Sequence, residues 1–560
     1  MKLECSQGTF DAYCHAASVY WARNTLPDGE AVVLVEALHP DMRVTLRNLT
    51  VANALRRITP ARLVLVTGAD KWWIDSIWKS FDVSLMEQLG RAFGAEVIDI
   101  HALVDALPGD DGNLLPQRIR DMAPGGPELP PLPDDELAAN VDSSYCRIQW
   151  IPRVSPADRK STDYLEVRRR SLGFAELYRQ LFSRLRPIAF VTSHVDYYHW
   201  GFGSSTSMAA GIPVVYVQQV GGLKAYTAFP EHHVPGRPLR ADLTVQLGRM
   251  FDQDVWPVRD RLRASAELVA WRSKGNLGRP IWWRHGSGAR AELVNPVERA
   301  QVREIALRRL GLDPAKPVVV VFNHAVSDAI GGNVELFDDL ADWFEQTVEV
   351  AARETRVNWL LLDHPSQAIY DRTGFIEKVE ARFAGVPHLR FTNSLEIGKN
   401  LLWSLVDLGV TVRGSVSNEL PAYGMPVVQA GWSEWSACGL SQVATDREDY
   451  WRILDQDIGR LVRGEGVITD EQVERARLWL WFYRAATDIT TPLVPHFAEG
   501  ADDDTIGALT TRMEHVEADG DPLHLAMHRM WTRREPVLTR FDLASPEALA
   551  GATLGSWSAG

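Results

Sequence analysis

The 560-residue chain carries 59 lysines and arginines against 73 aspartates and glutamates, a formal charge of -14, and 46% of it is hydrophobic. That apolar share supports the cores of two to four domain-sized units and excludes disorder throughout, while the acidic balance excludes a protein that grips nucleic acid through a broadly basic surface. Four scattered cysteines (Cys5, Cys14, Cys146 and Cys438) form no CxxC pair, which argues against a zinc knuckle or a disulfide framework and fits a reducing cytoplasm.

The opening MKLECSQGTFDAYCHAASVYW lacks a basic stretch followed by an apolar run. No segment approaches the roughly 20 apolar residues of a membrane span, so membrane contact is expected to be peripheral at most. Apolar runs at 31–36, 62–66 and 95–100 are separated by longer mixed segments, the rhythm of βαβ units in a parallel sheet. Residues 104–135 contain PGDDGN and APGGPELPPLPDD, too much proline, glycine and aspartate for a packed element, and predict a surface excursion. Over 163–184 the residues Leu165, Val167, Leu172, Phe174, Leu177, Leu181 and Phe182 recur at helical spacing, and 187–191 follows as a strand.

That strand opens into the polar loop TSHVDYYHWGFGSS. Its Asp196, His194 and His199 follow a strand at the edge where open α/β sheets bind ligands, which makes them candidates for a general base or nucleophile, Asp196 first. The competing reading is of loop polar groups that satisfy the local backbone. His232 and His233 are read as structural, because adjacent residues rarely turn two rings to one ion.

VTSHVDYYHWGFGSSTSMAAGIPVV and VTVRGSVSNELPAYGMPVV share one plan: strand, polar turn with glycine and serines, helix ending in Gly-x-Pro, strand. Two related α/β halves explain the echo, with a break near 290 beside the segment 282–288. The second half begins with a helical stretch to Leu310 and a strand at 317–322. In the following NHAVSDAIGGN, Asn323, His324, Ser327 and Asp328 precede Gly331 and Gly332, glycines that let backbone N–H groups approach a phosphate. After a helix at 338–352, the strand 358–362 ends in Asp363-His364-Pro365, where Pro365 biases His364 to an extended backbone and its ring should project from the carboxyl end of the strand.

A strand at 408–412 then reaches Arg413-Gly414. Gly414 permits a tight turn, and Ser415, Ser417 and Asn418 suit capping of the next helix, whose N–H groups and dipole attract an anion. Glu419 would sit beside that anion and accept from sugar or ribose hydroxyls, or else be a capping or solvated glutamate. Trp200, Trp432 and Trp435 are candidate stacking platforms. The helix 471–486, with its LWLWFY run, is a packing element that can cross back to the first half.

Together these features resemble the GT-B glycosyltransferases. WLLLDHP, VTVRGSVSNELPAYGMPVV and GWSEW, over about 315–445, look most like bacterial capsule-polysaccharide proteins of the Kdo-transferase kind. The resemblance implies two Rossmann-like domains facing across a cleft: an acceptor-side domain at 1–290, a nucleotide-donor domain at 291–470, and a crossing helix and tail at 471–560. It implies that His364, Ser415 and Ser417 contact the phosphate of a CMP-activated sugar acid, that nucleotide-sugar is substrate rather than cofactor, and that no metal takes part. A helix N-terminus, hydroxyls and an imidazole supply the same stabilisation of a leaving group. The acceptor would be a surface glycan, lipid-linked or protein. A CDP-polyol phosphotransferase, a UDP-sugar epimerase and a non-catalytic glycan-binding scaffold are the alternatives.

Overall fold

The computed structural model describes residues 4–77, 80–106, 113–123, 125–219, 221–234, 239–272, 296–328, 336–397, 399–497 and 499–545. The break near 290, the segment 282–288, Gly331 and Gly332, and the end of the tail lie outside them. Two compact units form: Met1–Ile148 with Ser155–Leu243 and Ala486–Asp542, and Gln149–Val154 with Thr244–Ala485 and Leu543–Gly560.

In the first unit the apolar run AVVLVEA becomes β1 (Ala31–Ala37), buried on both faces beyond its first residue as a central parallel strand requires. With β2 (Ala61–Thr67), β3 (Ala95–Asp99), β4 (Ala189–Thr192), β5 (Val214–Gln218) and β6 (Lys224–Ala228) it builds a six-stranded sheet in the order β3-β2-β1-β4-β5-β6. All neighbours are parallel except β6, which runs back antiparallel along β5. The spacing at 163–184 is realised as the helix Thr162–Leu185, capped by Ser161 accepting from Tyr164 N and closed by Arg186 in the left-handed region. Among its described residues the Pro/Gly-rich stretch holds the end of the helix Ile100–Asp105 and the short helix Gln117–Arg120 before the helix Asp134–Gln149 begins.

In the second unit β7 (Val318–Phe322), β8 (Asn358–Leu362), β9 (Leu389–Thr392), β10 (Leu408–Thr411), β11 (Val427–Gln429) and β12 (Gln442–Val443) form a wholly parallel sheet, β12-β11-β10-β7-β8-β9. Alternate residues feed two cores: Val319, Val321, Trp359, Leu361, Val410 and Val428 on one face, Val318, Val320, Leu360, Leu362 and Val427 on the other. Gly409 lets the helix Val416–Ala422 lie close, since a Cβ there would meet Leu420 Cδ1 at 2.7 Å.

The apolar helix is Asp470–Trp481, opened by a Thr469/Gln472 capping box and extended by a π-type turn, Phe482–Ala486. It packs on the helices Val416–Ala422 and Arg259–Arg272. The return to the first unit comes at its end: Ile489 bridges Leu223, Val537 bridges Tyr226, and Leu493, Leu509, Met513, Leu523, Met527 and Met530 join the first core. No helix among the described residues is long and apolar enough to cross a membrane.

Both sheets have the doubly wound order 3-2-1-4-5-6. The order reverses between β1 and β4 in the first unit and between β7 and β10 in the second, and ligands of such sheets bind outside the carboxyl ends of the strands at that reversal.

Candidate functional site

In the second unit, Thr411 Oγ1 donates to Phe322 O at 3.1 Å and locks the end of β10 to that of β7. It also accepts from Gly414 N at 3.3 Å, and a Cβ on Gly414 would fall 2.8 Å from it, so this turn requires glycine. Arg413 Nη2 donates to Asp328 O at 3.2 Å, tying the loop after β10 to the loop after β7.

Asn323 extends β7 by one residue, its N–H donating to Leu362 O at 3.3 Å. It is 5% exposed, and neither polar atom of its carboxamide has a hydrogen-bond partner among the described residues. The next side chain, His324, stacks on His364, with centroids 6.1 Å apart and planes 14° apart. His364 stands at the carboxyl end of β8 as expected, before an exposed Pro365. Its Nδ1 accepts from Ser366 N at 3.2 Å, which assigns the ring hydrogen to Nε2. Burial holds its pKa below the ordinary histidine value against the opposing charges of Asp328 and Asp363, so the ring is a neutral N–H donor at pH 7.

The serine turn differs from its expected chemistry. Ser415 begins the helix Val416–Ala422 with αR backbone angles and makes no side-chain cap bond among the described residues. The N–H groups of Ser417, Asn418 and Glu419 bond back to Gly414 O and Ser415 O, so these first-turn amides are engaged within the turn. Ser417 is fully buried; its Oγ donates to Gly414 O at 2.8 Å and accepts from Trp435 Nε1 at 2.9 Å. Asn418 is buried, with no partner for Nδ2 among the described residues. Glu419 is no solvated group: it is 3% exposed and pairs with Arg484 Nη2 at 3.3 Å. Trp435 is packed against Trp479 and Tyr483 and Trp200 is likewise buried, which removes both as open stacking platforms; Trp432 is half-buried. Two strand spacings, roughly 10 Å, separate the ends of β8 and β10. A ligand touching both His364 and the Gly414 turn must therefore pass over Asn323 and His324.

In the first unit the reversal point is organised by Glu36, near the end of β1. Its fully buried carboxylate accepts from Leu38 N, Asn48 Nδ2, Ser193 N, Ser193 Oγ and Trp200 Nε1. Of the three candidate bases, His194 is half-buried with its ring 5.0 Å from Trp200, and Asp196 is 7% exposed and paired with Arg240 Nη2 at 2.5 Å. His199 is buried, with Nε2 3.1 Å from Asp70 Oδ2. The structure thus brings Asp196 and His194 to the end of β4 and draws His199 into the core. Tyr197, between them, has φ 66°, a left-handed backbone that costs energy for a side chain of its size.

Asp70, His101 and His199 have ligand atoms within 4.8 Å of one another, the spacing of a metal site. The donor set does not fit one. Arg170 Nη2 lies 3.0 Å from His101 Nδ1 and 3.7 Å from Asp70 Oδ2, where its guanidinium already supplies the positive charge. Tyr198 OH and His199 Nε2 both bond Asp70 Oδ2. Burial raises the Asp70 pKa, but the His199 hydrogen bond and the charges of His199, His101 and Arg170 outweigh it and hold the carboxylate ionised far below the usual range. His233, as expected, has a structural partner in Asp242.

Sequence reasoning missed Glu36, Asp70, Arg170 and Arg240. Glu36 and Asp70 had a signal, a carboxylate at the carboxyl end of an apolar strand; the two arginines lie on long helices and had none.

No family model matches the chain, and no curated protein matches it. Among solved structures it aligns with the Kdo 2,4-transferase KpsC of Thermosulfurimonas dismutans at 12% identity, over 52% of this chain and 79% of that one, TM-score 0.31. Anabaena HepE, in complex with UDP and glucose, aligns at 12% over 85% and 97%, TM-score 0.26. A UDP-GlcNAc 2-epimerase from Neisseria meningitidis aligns at 9% over 81% and 98%, TM-score 0.22. At such scores the fold rests on the strand order of the two sheets themselves.

Proposed function

We propose that the chain is a GT-B glycosyltransferase that takes a sugar from a nucleotide donor bound by its second unit. The observation that carries this reading is the β7/β10 reversal, where a neutral imidazole donor, a second imidazole stacked on it and a buried carboxamide follow adjacent strands. A nucleotide-sugar presents phosphate oxygens that only accept and hydroxyls that both donate and accept, which is the complement of that set. His364 Nε2–H would donate to the phosphate as leaving-group charge develops. The DHP motif, through its resemblance to the Kdo-transferase kind, favours a CMP-activated acidic sugar as donor, and the proposed acceptor is a glycan, lipid-linked or protein hydroxyl. Asp196, oriented by Arg240 at the reversal point of the first unit, is the proposed base toward that hydroxyl.

Thermal-shift titration with CMP, CDP, UDP and their sugars tests the reading, since a ligand that binds only the folded chain raises its melting temperature. The fitting donor should stabilise the wild type, and His364→Ala should weaken its binding about tenfold, the effect of one hydrogen bond to a charged group. Asp196→Asn should abolish transfer while binding persists, as expected of a group that acts in the chemical step. If no nucleotide-sugar at ~1 mM, a typical upper substrate KM, shifts the wild type, the proposal is wrong.

A further inference from the structure

We infer that Asn323 reads hydroxyl groups of the sugar carried by the donor, and not its phosphate, so that it selects the substrate by its polyol portion; the inference rests on the nucleotide-sugar reading above. A carboxamide carries donors on Nδ2 and an acceptor on Oδ1. Asn323 keeps both without a partner among the described residues at 5% exposure, while its backbone is fixed by the bond to Leu362 O. An unsatisfied buried amide is a standing cost to stability that an apolar side chain of the same shape would not incur. Asn418 Nδ2, on the helix after the neighbouring β10, shows the same pattern at 1% exposure.

The two ends of the Asn323 carboxamide decide the chemistry. Phosphate oxygens only accept, so they can meet Nδ2–H but set like partial charge against Oδ1. A hydroxyl donates to Oδ1 and accepts from Nδ2, and a vicinal pair satisfies both at once. The edge of a pyrimidine also offers a donor beside an acceptor, but a planar ring must enter whole to reach a group this buried, whereas a hydroxyl reaches it as a single projecting atom. The place agrees: Asn323 ends the central strand between the His364 end of β8 and the Gly414 turn of β10.

Isothermal titration of the wild type, Asn323→Ala and Asn323→Leu with CMP, UDP, CMP-N-acetylneuraminate and UDP-N-acetylglucosamine tests this, with the melting temperature of each variant alongside. For the nucleotide-sugar that binds, both variants should lose 10- to 100-fold in affinity. The matching free nucleotide should bind within twofold of wild type, and Asn323→Leu should melt no lower than wild type. Equal losses for nucleotide and nucleotide-sugar would mean a phosphate or base contact and overturn the inference, as would no loss for either. A clearly lower melting temperature of Asn323→Leu would mean a structural carboxamide and overturn it too. If the wild type binds none of the four, the nucleotide-sugar reading falls and the inference with it; if it binds and only the discrimination is missing, Asn323 alone has been misassigned.

Discussion

Replacing Glu36 by glutamine removes one oxygen from the centre of the first sheet with almost no change of shape. Oε1 accepts from Asn48 Nδ2 at 2.9 Å, from Ser193 N at 2.7 Å and from Ser193 Oγ; Oε2 accepts from Leu38 N at 2.9 Å and Trp200 Nε1 at 2.9 Å. Whichever position becomes the NH2 group, at least two donors then face a donor. Two lost bonds cost about 2–3 kcal/mol, and the remaining bonds weaken when their acceptor loses its charge. Relief from burying that charge offsets part of this, leaving about 3 kcal/mol. For a unit of this size that is a fall of roughly 5–10 °C in melting temperature, measured by circular dichroism. A midpoint within about 2 °C of wild type would refute the view that this carboxylate holds β1, β4 and the Ser193–Trp200 loop together, because so small a change is what a surface substitution away from any such feature produces.

Acid should weaken the first unit. Burial drives the pKa of His524 down to about 3 and that of His39 to about 4, so below about pH 6.5 the unfolded chain takes up protons that these rings refuse when folded. Their contribution to stability is fully present above that pH and is lost as pH falls toward 4 and 3. For His524 alone the slope is about 1.4 kcal/mol per pH unit, and His524→Gln should flatten the urea midpoint between pH 6 and 4; an unchanged slope would count against it. Gly222→Ala places a Cβ 2.4 Å from Ile489 O, beside the reciprocal Leu223–Ile489 bonds of 2.7 and 2.8 Å. A loss of about 2–3 kcal/mol in chemical denaturation is expected, and wild-type stability would show that the contact yields.

The strands were legible because a buried parallel strand needs little beyond a short apolar run, and 358–362 and 408–412 are such runs whatever surrounds them. β6 was not: Lys224–Ala228 has a buried lysine and pairs antiparallel through a turn after Gln218. At the site, His364 was legible from the proline after it, a local constraint. The SHVDYYHWG loop reads as polar and open, yet most of it is buried, because its partners Glu36 and Asp70 lie far away in sequence. Ser417 misleads for the same reason, its hydroxyl being taken by Trp435.

The first unit closes only when Ala486–Asp542 has joined it. During synthesis strands β1 to β6 are therefore made well before their core is complete: Val33, Leu46 and Val215 lack Leu493, Met513 and Met530 until the chain has reached Ala486–Asp542. A nascent chain stalled before Ala486 would hold every strand of both sheets yet leave the first core open, an apolar surface that chaperones must shield.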